Sequence, residues 1–262
     1  MKFGLPNLGN TCYLNSAVQL LLRNNEFMMM ELIGDNHKRG IIKIKKRLSE
    51  LSNKFSGNLQ QDGGEALLYI LDYYNKQGFG KKYFFQEKTR IKCKFKICLY
   101  KEISLHNSNI LMLDINNCDS LTNCYIKFRE LTKLDGDDKW NCPKCHDKRI
   151  ATKRESIEEW SSYLLVYLKR FEINKFGKYQ KNNTLIEIPL YWRDYELIGA
   201  MIHQGSLQGG HYVTIGKEAG KWYLFDDSNV SEIKQDQLNN YLKKSYVLHF
   251  RLIITNHQTV YH

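Results

Sequence analysis

The sequence predicts an α+β fold, with a helical amino-terminal third followed by antiparallel strands. Three observations carry this. Apolar residues recur every three or four positions up to about residue 82, and they alternate every second position after about residue 83. Helix and strand patterns also fail to interleave as a doubly wound parallel sheet requires, and no βαβ phosphate loop is present.

Each element follows from its spacing. The first helix begins near Cys12 and stacks Leu14, Val18, Leu21 and Leu22; the second aligns Ile41, Ile44, Leu48 and Leu51; the third runs from Asp62 with Ala66, Ile70 and Leu71 inward. Strand patterns cover Arg90 to Tyr100, Asn109 to Ile115, Tyr163 to Phe171, Tyr195 to Ile202, His211 to Gly216, Lys221 to Asp226 and Tyr246 to Ile254. The polar stretches Asn116 to Asp138 and Lys175 to Asn183 read as loops leaving the main body. Met28-Met29-Met30 and the tryptophans read as core or interface filler.

Composition narrows the class. With 262 residues, 42% of them hydrophobic, the chain can build a substantial core. No stretch approaches the roughly eighteen uninterrupted apolar residues that span a bilayer. Met1 to Pro6 lacks the basic and apolar segments of a secretory signal, and seven cysteines are too sparse for a secreted disulfide scaffold, so an intracellular, cytoplasmic or nuclear address is expected. The net charge of +11 raises nucleic acid as a partner, but lysines and arginines are scattered and interleaved with acids; that reading would need charge gathered on one face.

Chemistry concentrates near the two ends. Gly4-Leu5-Pro6-Asn7-Leu8-Gly9-Asn10-Thr11-Cys12 sets a flexible loop ahead of an amphipathic helix, whose positive end would favour a Cys12 thiolate. Asn7 and the Cys12 backbone N–H are candidate oxyanion donors. Gly209-Gly210-His211 offers a histidine at a strand start beside two glycines that allow close approach, and Asp226-Asp227 follows one strand later as a source of orienting carboxylate.

Taken together, Gly4 to Gln19 and Tyr195 to Phe225 resemble the Cys and His boxes of a ubiquitin-specific protease catalytic domain, and the resemblance runs from Met1 to near Arg251. It implies Cys12 as nucleophile, His211 as base, Asp226 orienting the imidazole, Asn7 as oxyanion donor and Asp227 assisting. It further implies a papain-like hand: a helical thumb over 1–82, mostly fingers over 83–155, mostly palm over 156–254, and a tail at 255–262. The activity implied is hydrolysis of the bond after the terminal glycine of ubiquitin, through a thioester and with no organic cofactor, by a monomer. A silent ubiquitin-binding module and a protease for a ubiquitin-like modifier are the alternatives.

Other motifs carry two readings each. Asp62 and Glu65, in Gln60-Gln61-Asp62-Gly63-Gly64-Glu65, resemble the family's contacts to the arginine-bearing ubiquitin tail, and their spacing also suits a helix cap. Gly63, Gly64 and Ala66 depart from the bulkier residues usual there. Gly209 and Gly210 fit a narrow tunnel for a glycine tail, and His203 matches a position beside the active-site loops. Cys142 and Cys145 form a C-x-x-C knuckle suited to structural zinc in the fingers; Cys93 and Cys98 stand where the second pair belongs, although an unbroken strand would point them oppositely. His146 is a substitute ligand, and Cys118 and Cys124 read as ordinary, partly buried thiols.

Overall fold

The computed structural model describes residues 2–24, 36–78, 80–173, 177–206 and 209–253. The Met28-Met29-Met30 run, Lys175 and the 255–262 tail lie outside them. The helical third comprises α1 (Cys12–Leu21), α2 (His37–Leu51) and α3 (Gly63–Lys76). Strands β1 (Phe85–Cys93), β2 (Lys101–Ser108) and β3 (Leu111–Leu113) follow, then α4 (Leu121–Phe128) and β4 (Thr132–Leu134). Next come β5 (Trp140–Cys142), β6 (Asp147–Arg149), β7 (Ala151–Glu159), β8 (Tyr163–Leu168), β9 (Phe171–Ile173), β10 (Tyr179–Lys181) and β11 (Tyr191–Trp192). The chain closes through β12 (Tyr195–Gly205), β13 (Gly210–Glu218), β14 (Lys221–Asp226), β15 (Asn229–Glu232), α5 (Gln235–Leu242) and β16 (Ser245–Leu252).

The architecture is a helical thumb against an eight-stranded palm sheet, with a separate sheet forming the fingers. The palm runs β15-β14-β13-β12-β16-β8-β3, with β11 paired to β12. The fingers run β2-β1-β7-β4. The palm is covered on both faces, which is why β8 reads Tyr-Leu-Leu-Val-Tyr-Leu with little alternation. Leu165, Met201 and Val247 turn towards α1, α2 and α3. Val166, Ala200, Leu248 and Phe250 turn the other way, towards α4, α5 and Trp192.

Helix α1 is buried along its whole length, so its polar side chains need internal partners. Gln19 donates to the Phe3 carbonyl at 2.7 Å, and the Ser16 carbonyl accepts from Thr214 Oγ1 at 2.8 Å. These bonds and the apolar packing fix the helix start against β13. Truncating a core leucine such as Leu14 or Leu20 to alanine would cost about 2–5 kcal/mol.

Two stretches expected as loops contain regular structure. Within 116–138, Ser120 caps α4, accepting from the Asn123 N–H, and Leu121, Cys124 and Tyr125 are buried. Within 175–183, β10 pairs antiparallel with β9. Cys118 and Cys124 are fully buried, at 7% and 1% exposure, rather than partly. The expected strand from Arg90 to Tyr100 instead ends at Cys93 and turns back, and the strand itself begins earlier, at Phe85.

Candidate active site

The loop ahead of α1 is folded around one side chain. Asn7 Oδ1 accepts from the Gly9 N–H at 3.0 Å and the Thr11 N–H at 3.1 Å, while Gly9 and Asn10 take φ values of +96° and +54°. The loop is then fastened to the far end of the chain: the Leu5 N–H donates to the Asp227 carbonyl at 2.8 Å. Gly4 is required there, because a Cβ would lie 2.2 Å from the Ser228 carbonyl oxygen. Cys12 thereby enters the first turn of α1 facing β13.

The Cys12 thiol is 4% exposed. Burial pushes it up from the ordinary thiol range; the Tyr212 backbone N–H pulls it back down, and the Asp227 carboxylate adds to the rise. The helix terminus was expected to favour thiolate, but removal from water outweighs it here. Burial thus favours the protonated thiol over the thiolate.

His211 lies on β13 immediately before Tyr212, with its side chain 38% exposed. Its Nε2 hydrogen-bonds Asp226 Oδ1 at 2.6 Å, which leaves Nδ1 as the basic nitrogen of the neutral ring. Thiol and imidazole are not hydrogen-bonded to one another among the described residues; the thiol's bond is to the Tyr212 backbone N–H and the imidazole's is to Asp226. Asp227, at a φ of +49°, does different work from Asp226. Its Oδ2 accepts from Asn7 Nδ2 at 2.8 Å and its Oδ1 from Asn15 Nδ2 at 2.7 Å. One of the two Asn7 amide hydrogens is thus committed and the other remains for an oxyanion.

A cleft of about 340 Å³ opens beside Cys12, with Asp62, Gly209, Gly210 and Tyr212 among its walls. The Gly210 N–H donates to Gln60 Oε1 at 3.1 Å, and a Cβ on Gly210 would sit 2.2 Å from His203 Nε2. Around Gly209, by contrast, the space is open. His203 packs against Phe171 and Tyr212, with ring centroids at 5.4 and 4.6 Å. Burial, then the charges of Lys181 and His211, hold it down at about 4, so it is neutral and shapes the cleft wall.

Asp62 is a helix cap and more. Its Oδ1 accepts from the Glu65 N–H at 2.8 Å, and its Oδ2 accepts from Tyr246 Oη at 2.6 Å and Tyr212 Oη at 3.2 Å. Tyr246 Oη is also bonded to Tyr167 Oη. Glu65 pairs with Lys54. Gly63 and Gly64 let these aromatics close on the helix start: a Cβ would come within 2.8 Å of Met201 Sδ at Gly63 and 2.6 Å of Tyr167 Cε2 at Gly64. The small residues therefore fit this helix to its own neighbours. Asn15, Gln60 and Tyr212 also contribute; they lie within the Cys box, the Gln60 to Glu65 motif and the His box, but their residue types alone did not assign them a role.

In the fingers, Cys93, Cys98, Cys142 and Cys145 bring their sulfurs within 4.8 Å of one another. The chain turns after Cys93, where the Cys98 N–H donates to the Phe95 carbonyl and Leu99 takes a φ of +49°, so both thiols reach one point. Cys98 and Cys142 sulfurs lie 3.6 Å apart, close to the roughly 3.8 Å that tetrahedral Zn–S bonds of about 2.3 Å dictate. The four thiolates fit a structural zinc. His146 is not in the group; it is an exposed turn residue at a φ of +52°.

Comparison with known proteins agrees with this geometry. The family model described as ubiquitin carboxyl-terminal hydrolase matches residues 3–41 and 40–250. Human ubiquitin carboxyl-terminal hydrolase 15 is 34% identical over 147 residues, covering 50% of this chain and 15% of that protein. Ubiquitin carboxyl-terminal hydrolase 5 of Saccharomyces cerevisiae is 24% identical over 339 residues, covering 86% of this chain and 42% of that one. The chain thus spans about 15% of the length of the hydrolase 15 relatives it matches. Among solved structures, the Ubp8-containing SAGA DUB module bound to monoubiquitin superposes with a TM-score of 0.82 at 23% identity, over 97% of this chain and 70% of that one. The same module bound to ubiquitin aldehyde gives a TM-score of 0.80 at the same identity and coverage. With its residues 3–250 matched by that model, the chain belongs to the ubiquitin carboxyl-terminal hydrolase family, as a compact ubiquitin-specific protease domain.

Proposed function

We propose that this chain is a thiol-dependent deubiquitinating peptidase that hydrolyses the isopeptide or peptide bond after the terminal glycine of ubiquitin. The observation that carries the proposal is the pairing at β13: the Cys12 thiol meets the Tyr212 N–H, and the preceding residue, His211, is tethered through Nε2 to Asp226. His211 Nδ1 takes the thiol proton as substrate enters, and the thiolate attacks the glycine carbonyl carbon. The oxyanion is received by the Cys12 N–H and the uncommitted Asn7 N–H. Imidazolium then protonates the leaving amine, and the thioester is resolved by a water that His211 deprotonates. Asp226 holds the ring in the required tautomer; Asp227 holds Asn7 in place.

The glycine tail approaches along Gly209 and Gly210, past His203, with Asp62 and Glu65 at the thumb side. The enzyme acts inside the cell as a monomer; no helix among the described residues is long and apolar enough to cross a membrane. The test is a ubiquitin probe carrying a carboxyl-terminal electrophile. Wild type forms a covalent adduct and Cys12→Ala does not. Binding without adduct by the wild type would favour a silent ubiquitin module, and adduct only with a ubiquitin-like probe would change the substrate.

A further inference from the structure

The finger sheet sorts its charge between its two faces. In the β1 register, Arg90 stands directly opposite Arg154 of β7, and Lys92 directly opposite Lys101 of β2. Side chains alternate across a strand, so these four share a face with Lys88, two residues before Arg90. Among the described residues, carboxylates reach this face at Lys88, 2.9 Å from Glu158, and at Lys133 of β4, 2.7 Å from Asp135. Arg90, Lys92, Lys101 and Arg154 have no carboxylate partner among the described residues. The opposite face carries Glu87, Glu102 and Glu155, with Lys153 paired to Glu155.

Like charges directly opposed across a ladder are destabilising, so two such pairs on one small sheet call for a counter-charge. Protection of a sheet edge does not account for them. Edge-guarding cations belong on the outermost strand, yet the edge strand β2 shows exposed Ile103 and Leu105 on this face, while the arginine pair lies on the central strands. Arg154 is further braced, its Nε donating to the Arg129 carbonyl at 3.0 Å, and a shallow concavity of about 190 Å³ lies between Arg90, Arg129, Arg154 and Lys88. Successive cations along β1 fall about 7 Å apart and neighbouring strands about 4.8 Å apart. This is a flat cationic grid.

From this grid we infer that this face of the finger sheet binds the phosphate backbone of duplex nucleic acid. No aromatic side chain lies on the face among the paired residues, so nothing there would stack single-stranded bases, and no groove-reading helix or ribbon projects from it. Binding is sequence-independent and driven by counterion release. With about four phosphates neutralised, the logarithm of the association constant falls against the logarithm of salt with a slope of roughly −3.6.

The experiment measures fluorescence anisotropy of a labelled 20-base-pair duplex with the full chain between 50 and 200 mM salt. Wild type is expected to bind in the micromolar to 0.1 mM range at the low-salt end. Arg90→Gln with Arg154→Gln should weaken binding about tenfold or more and flatten the slope by about 1.8, because two contacts are lost. Lys43→Gln with Lys46→Gln, on the exposed side of α2, removes equal charge and should change binding less than threefold. A thermal melt verifies folding of both variants. No detectable duplex binding, equal losses in the two variants, or a polyglutamate peptide competing as well as the duplex would each overturn the assignment.

Discussion

Replacing Asp62 tests whether that carboxylate serves the fold, the substrate or both. In Asp62→Ala the α3 cap to the Glu65 N–H disappears, at about 1 kcal/mol. The Tyr246 and Tyr212 hydroxyls also lose a charged acceptor, and since Asp62 is only partly buried their joint loss is about 2 kcal/mol. The sum, about 3 kcal/mol, lowers the melting temperature by roughly 6–9 °C for a domain of this size. Asp62→Asn keeps one oxygen for the cap and turns an N–H towards the tyrosine hydroxyls, which can accept as well as donate, so it should melt within about 3 °C of wild type. Differential scanning calorimetry supplies the first readout and hydrolysis of a ubiquitin carboxyl-terminal amide the second. A several-fold rise in KM for Asp62→Asn without loss of stability assigns the charge to the ubiquitin tail. An Asp62→Ala protein that melts within 1 °C of wild type refutes the cap-and-tyrosine argument.

Gly64→Ala would ordinarily gain about 1 kcal/mol of helix propensity, but the Cβ meets Tyr167 at 2.6 Å, so urea titration should show a net loss of about 1–2 kcal/mol. Stability should also fall on acidification. His203 and His249 are both held down at about 4 in the folded state by burial, so below the unfolded value of about 6.5 the unfolded chain binds more protons. Each contributes a slope of up to about 1.4 kcal/mol per pH unit between about pH 6.5 and 4, and denaturant midpoints at pH 7, 6 and 5 measure it. Iodoacetamide should label Cys12 of the free protein slowly at neutral pH and faster as pH rises through and above the usual thiol range, because burial raises that thiol; rapid labelling at pH 6 would contradict it. Cys142→Ser with Cys145→Ser should abolish stoichiometric zinc by elemental analysis and lower the melting temperature, with the loss centred on the finger sheet by hydrogen exchange.

How much of this was legible depended on where the apolar residues had to go. The thumb helices and palm strands were readable because each buries a stripe or a face, so Leu14, Val18 and Leu165 announce their period. The finger strands are largely part-exposed, and Phe85 to Cys93 is mostly polar or charged between its two buried ends, so its period marked the start five residues late. Helix α4 was hidden because only Leu121, Cys124 and Tyr125 are buried in an otherwise polar segment. The turn that unites Cys93 with Cys98 uses Leu99 at positive φ, where a glycine would have signalled it. His211 and Asp226 stood out by type and spacing. The upward push on the Cys12 thiol did not, because a helix terminus can be read from sequence whereas burial, the Tyr212 N–H and the Asp227 charge act through the fold, the last two from some two hundred residues away.

The last described strand, β16, is inserted between β12 and β8 in the middle of the palm. Until it arrives the sheet is two fragments with raw edges, and Asp227, which steadies the loop before Cys12, belongs to a part of the chain translated only shortly before. Cys12 therefore leaves the ribosome well before the strands that complete its surroundings. Truncation anywhere upstream of Ser245 should leave palm strands unpaired and the product prone to aggregation.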